Sequence, residues 1–515
     1  MATPGEKLAA SLELLQKLQD QKIVGIKATD LSRVHKERLI DQGFIREVFK
    51  GWYISVPHDE RKGDSTSWYT SYWGFCSRYL KDRYGDDYCV AADQSLLMHA
   101  GNDSVPHQMI IRSTKGNNSL TPLLFNTTLF TMKSPLSDIE SIEIIKGLRI
   151  LNLASSIVYC SPSLFTSNPT DVRTALSLIS DASELLGMLL DGGHSLKAGR
   201  IVGAFRNIGQ DKIANDIQKT MKSAGYDVRE VDPFEQKTPI TLSTRERSPY
   251  VNRIRLMWHE MRKVVIAVFP KSLGIPNDKA GYLKRIEEIY ITDAYHSLSI
   301  EKYRVTPELI ERVRSGTWNA KENEDDRKQR DAMAARGYWQ AFNAVKISVS
   351  HILDGKNAGK VADEEHGDWY RELFAPSVAI GLLKPSDLAG YRTHQVYIGQ
   401  SKHVPINRDG IRDVMPTLFE LLEQEEEASV RAVLGHFIFV FIHPYMDGNG
   451  RIGRFLMNAM LSSGGYPWTV IPVEERDAYM DALEQASVDQ NIEPFARFIA
   501  YLVEASINGK PIAKI

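Results

Sequence analysis

The stretch His443–Arg454, HPYMDGNGRIGR, decides how the C-terminal half of this chain folds. It follows the apolar segment ASVRAVLGHFIFVFI, a pattern that predicts a buried helix. That helix is expected to end at Pro444, because proline disfavours helical backbone at the residue before it. PYMDGNG is predicted to be a loop, and a second helix is expected to begin near Gly450. The stretch therefore concentrates polar side chains between two helices.

The loop has the features of an anion-binding site. Gly448 and Gly450 permit backbone angles that other residues avoid, so successive N–H groups can turn inward at the N-terminus of the second helix. Arg451, Arg454 and Asn458 are spaced three and four residues apart, which places them on one helical face beside those N–H groups. This combination of donors and charges fits a polyphosphate.

Two further residues of the loop suit chemistry on a bound polyphosphate. Asp447 offers a carboxylate to Mg²⁺, a hard cation that prefers carboxylate and phosphate oxygens. His443 is of the residue type best suited to remove a proton from a hydroxyl near neutral pH. Each feature alone has a structural explanation as a turn, a helix cap or a solvated face. Because all of these features occur together in one loop and the helix that follows it, the stretch favours a functional site.

The composition is that of a globular protein with room for more than one domain: 515 residues, 43% hydrophobic and 25% charged. A net charge of -2 gives no global field toward nucleic acid or a membrane. Cys76, Cys89 and Cys160 show no spacing typical of zinc sites or disulfide frameworks. The apolar runs are too short to span a bilayer, and the N-terminus lacks a signal-peptide core. We therefore expect a cytoplasmic protein without membrane contact.

Residues 249–515 are predicted to form an all-helical domain, since apolar residues recur there at three- and four-residue spacing. One segment interrupts this pattern. Residues 391–407, YRTHQVYIGQSKHVPIN, alternate in polarity and are predicted to form a β-hairpin. Residues 236–248, rich in Pro, Ser, Thr and charge, are predicted to be a linker.

The N-terminal third mixes helix and strand signals. Residues 1–55 are predicted to be a winged helix-turn-helix. From Gln21 onward, QKIVGIKATDLSRVHKERLIDQGFIREVFKGWYISVP is interpreted as a helix, a turn, a second helix within SRVHKERLIDQG and a strand pair, with Thr29 or Asp30 as a helix cap. Residues 56–235 are predicted to be an α/β region. The first fifty residues hold nine Lys/Arg and seven Asp/Glu, so DNA contact and protein contact both stay open. A helix reading DNA here would present Arg33, Lys36 and Arg38.

The loop stretch resembles the motif HxFx(D/E)GNGRxxR of the Fic family. The motif is met by His443, Asp447, Gly448, Asn449, Gly450, Arg451 and Arg454. Tyr445 replaces the usual phenylalanine and is expected to anchor the loop in the core. Tyr391–Pro405 is similar to the family's flap, a hairpin that aligns a target segment by strand addition. The resemblance covers roughly residues 249–510 and includes the usual C-terminal segment of the family.

This resemblance implies a protein adenylyltransferase, which transfers AMP from ATP to a Ser, Thr or Tyr hydroxyl of a target protein. By the same resemblance His443 is the general base and Asp447 the Mg²⁺ ligand. The implied phosphate-binding residues are Gly448, Asn449, Gly450, Arg451 and Arg454, the last at the γ-phosphate. Tyr479, in a segment that often lies beside the adenine, is a further nucleotide-binding candidate.

An upstream segment, HSLSIEKY, resembles the inhibitory helix motif (S/T)xxxE(G/N) of Fic proteins. Ser297 and Glu301 match it, whereas Lys302 stands where Gly or Asn is usual. Glu301, expected on a helix face, would pair with Arg454, withdraw it from the γ-phosphate and repel that phosphate. The resemblance therefore implies an enzyme that inhibits itself.

Residues 1–235 resemble AbiEi-type antitoxin and regulator proteins, which join a winged helix to an α/β domain. One alternative is therefore a DNA-binding transcriptional regulator or antitoxin-like protein. Another is a Fic enzyme that uses a different nucleotide or removes AMP. A homodimer, DNA contact through the winged helix and the identity of the target protein are left open by the sequence.

Overall fold

The structure is a computed structural model of the full chain, and it describes residues 3–58, 60, 61, 63–136, 141–238, 248–316 and 330–515. The chain divides into two compact units. The first contains Met1–Arg253 together with Tyr397–Val404, and the second contains Ile254–Val396 together with Pro405–Ile515. Most of the predicted linker, residues 239–247, lies outside the described residues.

The first unit begins with a small layered fold. Its elements are α1 (Pro4–Asp20), β1 (Gly25–Lys27), α2 (Arg33–Asp41), β2 (Ile45–Phe49) and β3 (Trp52–Ser55). The strands form an antiparallel sheet in the order β1-β3-β2. Apolar side chains from both helices and all three strands form one buried cluster that includes Leu15, Ile26, Leu39, Ile45 and Tyr53.

Of the two helices predicted between Gln21 and the strand pair, the first is not formed. Ile26 is fully buried in β1, paired with Tyr53, so this segment extends the sheet instead of forming a helix. The cap of α2 is Ser32, not Thr29 or Asp30. Asp30 instead accepts a hydrogen bond from the N–H of Lys27 at 2.7 Å, which closes the turn after β1.

The remainder of the first unit combines a sheet with helices. A helix α3 (Thr66–Tyr84) precedes a four-stranded sheet of order β4-β5-β7-β6, in which only the β5–β7 pair is parallel. The strands are β4 (Cys89–Val90), β5 (Gln108–Ser113), β6 (Ser119–Pro122) and β7 (Thr128–Lys133), and a hairpin follows, β8 (Ile142–Ile145) and β9 (Leu148–Leu151). The other helices are α4 (Ala92–His99), α5 (Leu153–Tyr159), α6 (Leu164–Ser167), α7 (Pro169–Ser177), α8 (Ser183–Asp191), α9 (Ser195–Asn207) and α10 (Asp211–Ser223).

The regular elements of the second unit are all helices in its described residues, as the apolar periodicity predicts. Its helices, the first of which begins just before the division between the units, are α11 (Pro249–Val268), α12 (Lys279–Ile300), α13 (Pro307–Arg314), α14 (Arg330–Leu353), α15 (Ala358–Ala379), α16 (Arg408–Gln424), α17 (Ala428–Ile442), α18 (Asn449–Ser462), α19 (Arg476–Val488) and α20 (Glu493–Ile507). α17 and α18 are almost entirely buried, so the loop that joins them is held by the core on both sides.

The predicted β-hairpin at 391–407 is not formed, because this segment contains no strand. Its backbone groups have partners other than an opposing strand. The carbonyl of Lys402 accepts from the N–H of Val105 at 2.9 Å, and the N–H of Gln400 donates to the hydroxyl of Thr66 at 3.0 Å, both within the first unit. The alternation of apolar and polar residues therefore marks an irregular segment whose backbone bonds to distant parts of the chain.

Two observations concern the predictions about disulfides and membrane spans. Cys76, Cys89 and Cys160 are buried free thiols, and burial raises the pKa of Cys89 to about 11. Among the described residues, no helix combines the length and the apolar character that crossing a membrane requires.

Candidate active site

The loop between α17 and α18 opens with a residue in an unusual conformation. His443 caps the C-terminus of α17 with φ 56° and ψ 60°, a left-handed backbone that is uncommon outside glycine. Its Nδ1 lies 3.1 Å from the carbonyl of Val440, which fits an Nδ1–H donor and leaves the Nε2 lone pair for another partner. Burial lowers the pKa of His443 to about 4, so the imidazole is neutral and able to accept a proton at pH 7.

The loop is braced from inside by Asn449. Its side chain accepts from the N–H of Tyr445 and donates to the carbonyl of the same residue, both at 2.9 Å. The ring of Tyr445 is stacked on Tyr370 with centroids 3.8 Å apart and is buried, as expected of a core anchor. Because its side chain is committed to the loop, Asn449 has only its backbone N–H to offer a ligand.

The N-terminus of α18 has the backbone shape of an anion-binding site. Gly448 caps it with φ 82°, and a Cβ there would lie 2.8 Å from the ring of Phe374. The first N–H groups of a helix have no partner within the helix. Those of Asn449, Gly450 and Arg451 belong to this first turn, where the helix dipole also favours negative charge.

Arg451 is held for contact with a ligand. It is only 1% exposed, and its guanidinium lies between the rings of Tyr303 and Phe374, 5.1 and 5.0 Å from their centroids. Its Nη2 is 3.2 Å from a carboxylate oxygen of Asp447. Among the described residues, Nε and Nη2 have no well-aligned hydrogen-bond acceptor. A buried cation with unfilled donors is suited to a phosphate oxygen.

Arg454 is occupied by the segment that resembles the inhibitory motif. Its Nε donates to the hydroxyl of Ser297 at 2.9 Å, and its Nη2 donates to the carbonyl of Ser297 at 3.0 Å and to Glu301 Oε1 at 2.8 Å. Burial disfavours the charge, but Glu301 and neighbouring groups raise the pKa of Arg454 above its ordinary value. Its Nη1 has no acceptor in the part of the chain that the structure describes.

Comparison with known proteins relates part of this unit to one family. Residues 365–461 match the family model described as Fic/DOC family. Over 133 residues it is 36% identical to the protein adenylyltransferase Fic of Drosophila virilis, which covers 25% of this chain and 27% of that protein. Over 242 residues it is 35% identical to the protein of the same name in Drosophila yakuba, covering 46% of this chain and 45% of that one.

These matches are partial, because the aligned part of this chain spans less than half the length of either curated relative. Among solved structures, Fic-1 (aa134–508) from C. elegans has 18% identity and a TM-score of 0.38, covering 66% of this chain and 91% of that one. That TM-score is too low to establish a shared fold.

The loop between α17 and α18 offers one carboxylate to a metal ion. Asp447 is exposed, and its second oxygen accepts from the N–H of Gly448 at 2.6 Å, which orients the group. In the described ranges, no three His, Cys, Asp or Glu side chains converge on one point. Mg²⁺ in nucleotide sites is usually held by one or two carboxylates together with substrate phosphates, so Asp447 beside the α18 N-terminus fits that donor set.

The contact between Glu301 and the Fic motif depends on how α12 ends. Glu301 is the C-cap residue, not a residue of the helix face as predicted. Lys302 then adopts φ 65°, with its N–H bonded to the carbonyl of Ser299, while the N–H of Tyr303 bonds to the carbonyl of Leu298. This is the Schellman arrangement, whose left-handed position favours Gly or Asn. The chain thus keeps the backbone shape of the motif with an unfavourable residue.

Replacing Lys302 with glycine is expected to raise the free energy of unfolding by about 1 kcal/mol, because the left-handed strain is removed. AMP incorporation should not rise, since the Glu301–Arg454 contact is retained. The matched control is Gln490→Gly, at another helix end, where this non-glycine residue has a positive φ of 56°. Thermal midpoints should increase for both variants, and a decrease for Lys302→Gly would contradict the strain argument.

The structure does not place Tyr479 beside a nucleotide. Its ring is 1% exposed and packs against His436, Phe495 and Phe498, so no face is free to stack on adenine. Its hydroxyl lies 2.8 Å from Nε2 of His436, and burial raises the pKa of the hydroxyl to about 12. Burial is the main cause of this shift, and Arg454 opposes it.

Several site residues lie outside the motif and were missed by sequence reasoning. Tyr303 and Phe374 hold Arg451, and Tyr338 donates to the buried carboxylate of Asp293 at 2.6 Å. Burial raises the pKa of Asp293 to about 6, an effect opposed by Tyr338. Phe374, Tyr338 and Asp293 share one signal, an aromatic or acidic residue at an apolar helical position, which sequence alone does not separate from ordinary core packing. Tyr303 lies just after the end of α12.

Proposed function

We propose that this protein is an adenylyltransferase that transfers AMP from ATP to a Ser, Thr or Tyr hydroxyl of a target protein, and to its own chain. The observation that carries the proposal is the juxtaposition of a neutral His443 with the N-terminus of α18 and two buried arginines with unfilled donors. The names of the partial relatives agree with this reaction class.

In the proposed reaction, the target hydroxyl oxygen attacks the α-phosphorus of ATP. A new P–O bond forms, the bond to pyrophosphate breaks, and His443 Nε2 accepts the hydroxyl proton. The first-turn N–H groups of α18 hold the α- and β-phosphates, and Arg451 contacts the outer phosphates. Held at Asp447 and the phosphates, Mg²⁺ would neutralise charge on the leaving pyrophosphate.

The same proposal includes inhibition by the chain itself. Glu301 occupies Nη2 of Arg454, the donor assigned to the γ-phosphate, and its carboxylate would repel that phosphate. An added Cβ at Gly450 would lie 2.3 Å from Glu301 Oε1, so the carboxylate closes directly over the first turn of α18. ATP is then excluded or bound in an unproductive pose.

Intact-mass spectrometry of the full chain with ATP and Mg²⁺ tests the reaction class. A gain of one AMP per modified hydroxyl supports the proposal. Parallel incubations with UTP, GTP and CTP, and with protein already modified by AMP, separate it from transfer of another nucleotide and from removal of AMP. A gain of phosphate alone, or of UMP in preference to AMP, would overturn it.

Replacing Asp447 with alanine is expected to raise the Mg²⁺ concentration for half-maximal transfer by at least about 10-fold, because loss of even an indirect ligand costs that much. The measurement is AMP incorporation across a Mg²⁺ titration. The control is Asp409→Ala, a carboxylate whose side chain is 85% exposed at the start of α16. An unchanged titration for Asp447→Ala would assign the ion to other groups.

Fewer observations support DNA binding by residues 1–55 than support AMP transfer. Arg33 and Lys36 lie on the exposed side of α2, but Arg38 donates to the carbonyl of Lys7 and the hydroxyl of Ser11 at 2.7 and 2.8 Å. If α2 reads DNA, binding should weaken steeply as salt is added, with loss of affinity in an Arg33→Ala, Lys36→Ala variant. A mobility shift with promoter DNA measures this, and salt-insensitive binding would favour protein contact.

A further inference from the structure

One buried arginine links the irregular segment 391–407 to the catalytic loop. Arg392 is 4% exposed, and its Nε donates to the carbonyl of His443 at 2.8 Å. Its backbone N–H donates to the carbonyl of Pro444, also at 2.8 Å. Two consecutive carbonyls of the catalytic loop are therefore held by a single residue.

The rest of the guanidinium faces the segment itself. Nη1 donates to the carbonyl of His394 at 2.8 Å, and Nη2 donates to the carbonyl of Ile406. These two acceptors lie on opposite arms of the segment. Gln395 makes a similar bridge, since its Nε2 donates to the carbonyl of Pro405 at 2.9 Å. The arms are joined through side chains where a hairpin would use its backbone.

Burial of the Arg392 guanidinium without a carboxylate partner has a cost in free energy. Every acceptor of the Arg392 guanidinium named above is a main-chain carbonyl, so the buried charge is balanced by dipoles and not by a carboxylate. Desolvation lowers the pKa of Arg392 to about 10, at which it is still charged at neutral pH. A buried charge balanced in this way is less stabilising than a well-packed apolar side chain, which argues for a role beyond packing.

Arg392 holds His443, the residue of the loop with a strained backbone conformation. His443 needs a left-handed backbone to turn its ring out of α17, a conformation that costs a non-glycine residue about 1 kcal/mol or more. Arg392 fixes the carbonyl on one side of this residue, and Val440 fixes Nδ1 on the other. Together they determine where Nε2 points.

We propose that Arg392 is a positioning residue that couples segment 391–407 to His443, so that the conformation of the segment sets the direction of the catalytic ring. The inference rests on the proposed adenylyltransferase activity of the same site. Arg392 touches neither the nucleotide nor the hydroxyl, and it acts through the backbone of His443. Its loss should therefore slow transfer without weakening ATP binding.

Arg392→Gln and Arg392→Lys are compared in the full chain carrying Glu301→Gly, which opens the nucleotide site. The rate of self-modification by labelled ATP is expected to fall about 100-fold in Arg392→Gln, the cost of a small misplacement of a reacting group. Arg392→Lys should recover part of the rate, because one of the donors is restored. Equilibrium binding of ATP should stay within about 3-fold of the parent value.

The matched control is Arg431→Gln. Arg431 is a partly buried arginine near the opposite end of α17, where it donates to the carbonyls of Glu425 and Glu426 and to the hydroxyl of Ser463 at 2.7 Å. Its loss should lower the thermal midpoint as much as the loss of Arg392, with little change in rate. Equal rate losses in the two variants, or a parent-like rate in Arg392→Gln, would overturn the proposal.

A second readout needs no activity. In protein with ¹⁵N-labelled histidine, the ring of His443 should show one tautomer, with the proton on Nδ1, and the signal is assigned by its absence in His443→Ala. Arg392→Gln should average the two tautomers, whereas Arg431→Gln should not. If the Glu301→Gly chain transfers no AMP, the proposed function fails, and this spectrum alone still decides the coupling. An unchanged tautomer in Arg392→Gln would refute it.

Discussion

Replacing His443 with alanine is expected to reduce AMP transfer by about 10²–10⁴-fold, the usual loss when a general base is removed. ATP affinity should survive. In the proposed reaction the ring faces the target hydroxyl, while the proposed phosphate donors belong to the first turn of α18 and to Arg451 and Arg454. The rate and the affinity are therefore expected to separate, which is the signature of a group that acts on the reacting atoms.

The measurement pairs self-modification rates with equilibrium binding of ATP in His443→Ala. His351→Ala is the control, a partly buried histidine on α14 that bonds Glu365 at 2.9 Å. Transfer at the parent rate would exclude His443 as the base. The parent itself should show no loss of base activity between pH 6 and 8, because burial holds the pKa of His443 at about 4 and the ring is neutral throughout that range.

The sequence was sufficient for the parts of the site that lie within one loop and one helix. Glycine positions, the arginine spacing and the proline that ends α17 act locally, so His443, Asp447 and Arg451 stand near one another as predicted. The contact of Ser297 and Glu301 with Arg454 spans more than 150 residues. Only the resemblance to a family motif could supply it, since no local rule relates positions so far apart.

The errors have the same origin. The segment 391–407 alternates as a hairpin should, yet its partners are Thr66 and Val105, far away in the chain. Ile26 was placed in a helix because pairing with Tyr53 is also invisible to local periodicity. Arg392 was passed over for a related reason. An isolated arginine in a polar run is usually solvated, and its burial depends on carbonyls that the fold brings to it.

Glu301→Gly is the variant expected to gain activity. The carboxylate is 30% exposed at the side chain, whereas Arg454 is 5% exposed, so their 2.8 Å contact is screened less than a surface pair. A pair worth on the order of 2–3 kcal/mol would suppress productive ATP binding by tens of fold to about a hundredfold. Self-modification should rise by that factor. The fold should tolerate the change, because Glu301 caps α12 and does not lie within it.

Two further variants separate charge from shape. Glu301→Gln keeps the side chain and can still accept from Arg454, but it loses the repulsion of the γ-phosphate, so its rate should lie between those of the parent and Glu301→Gly. Glu288→Gly, at a glutamate whose side chain is 63% exposed on the same helix, should destabilise α12 without releasing activity. Rates are compared at equal protein concentration, with ATP affinity measured in parallel. Equal rates for the parent and Glu301→Gly would make Glu301 a bystander, and any restraint on the enzyme would then have to act through the N-terminal unit or through self-association.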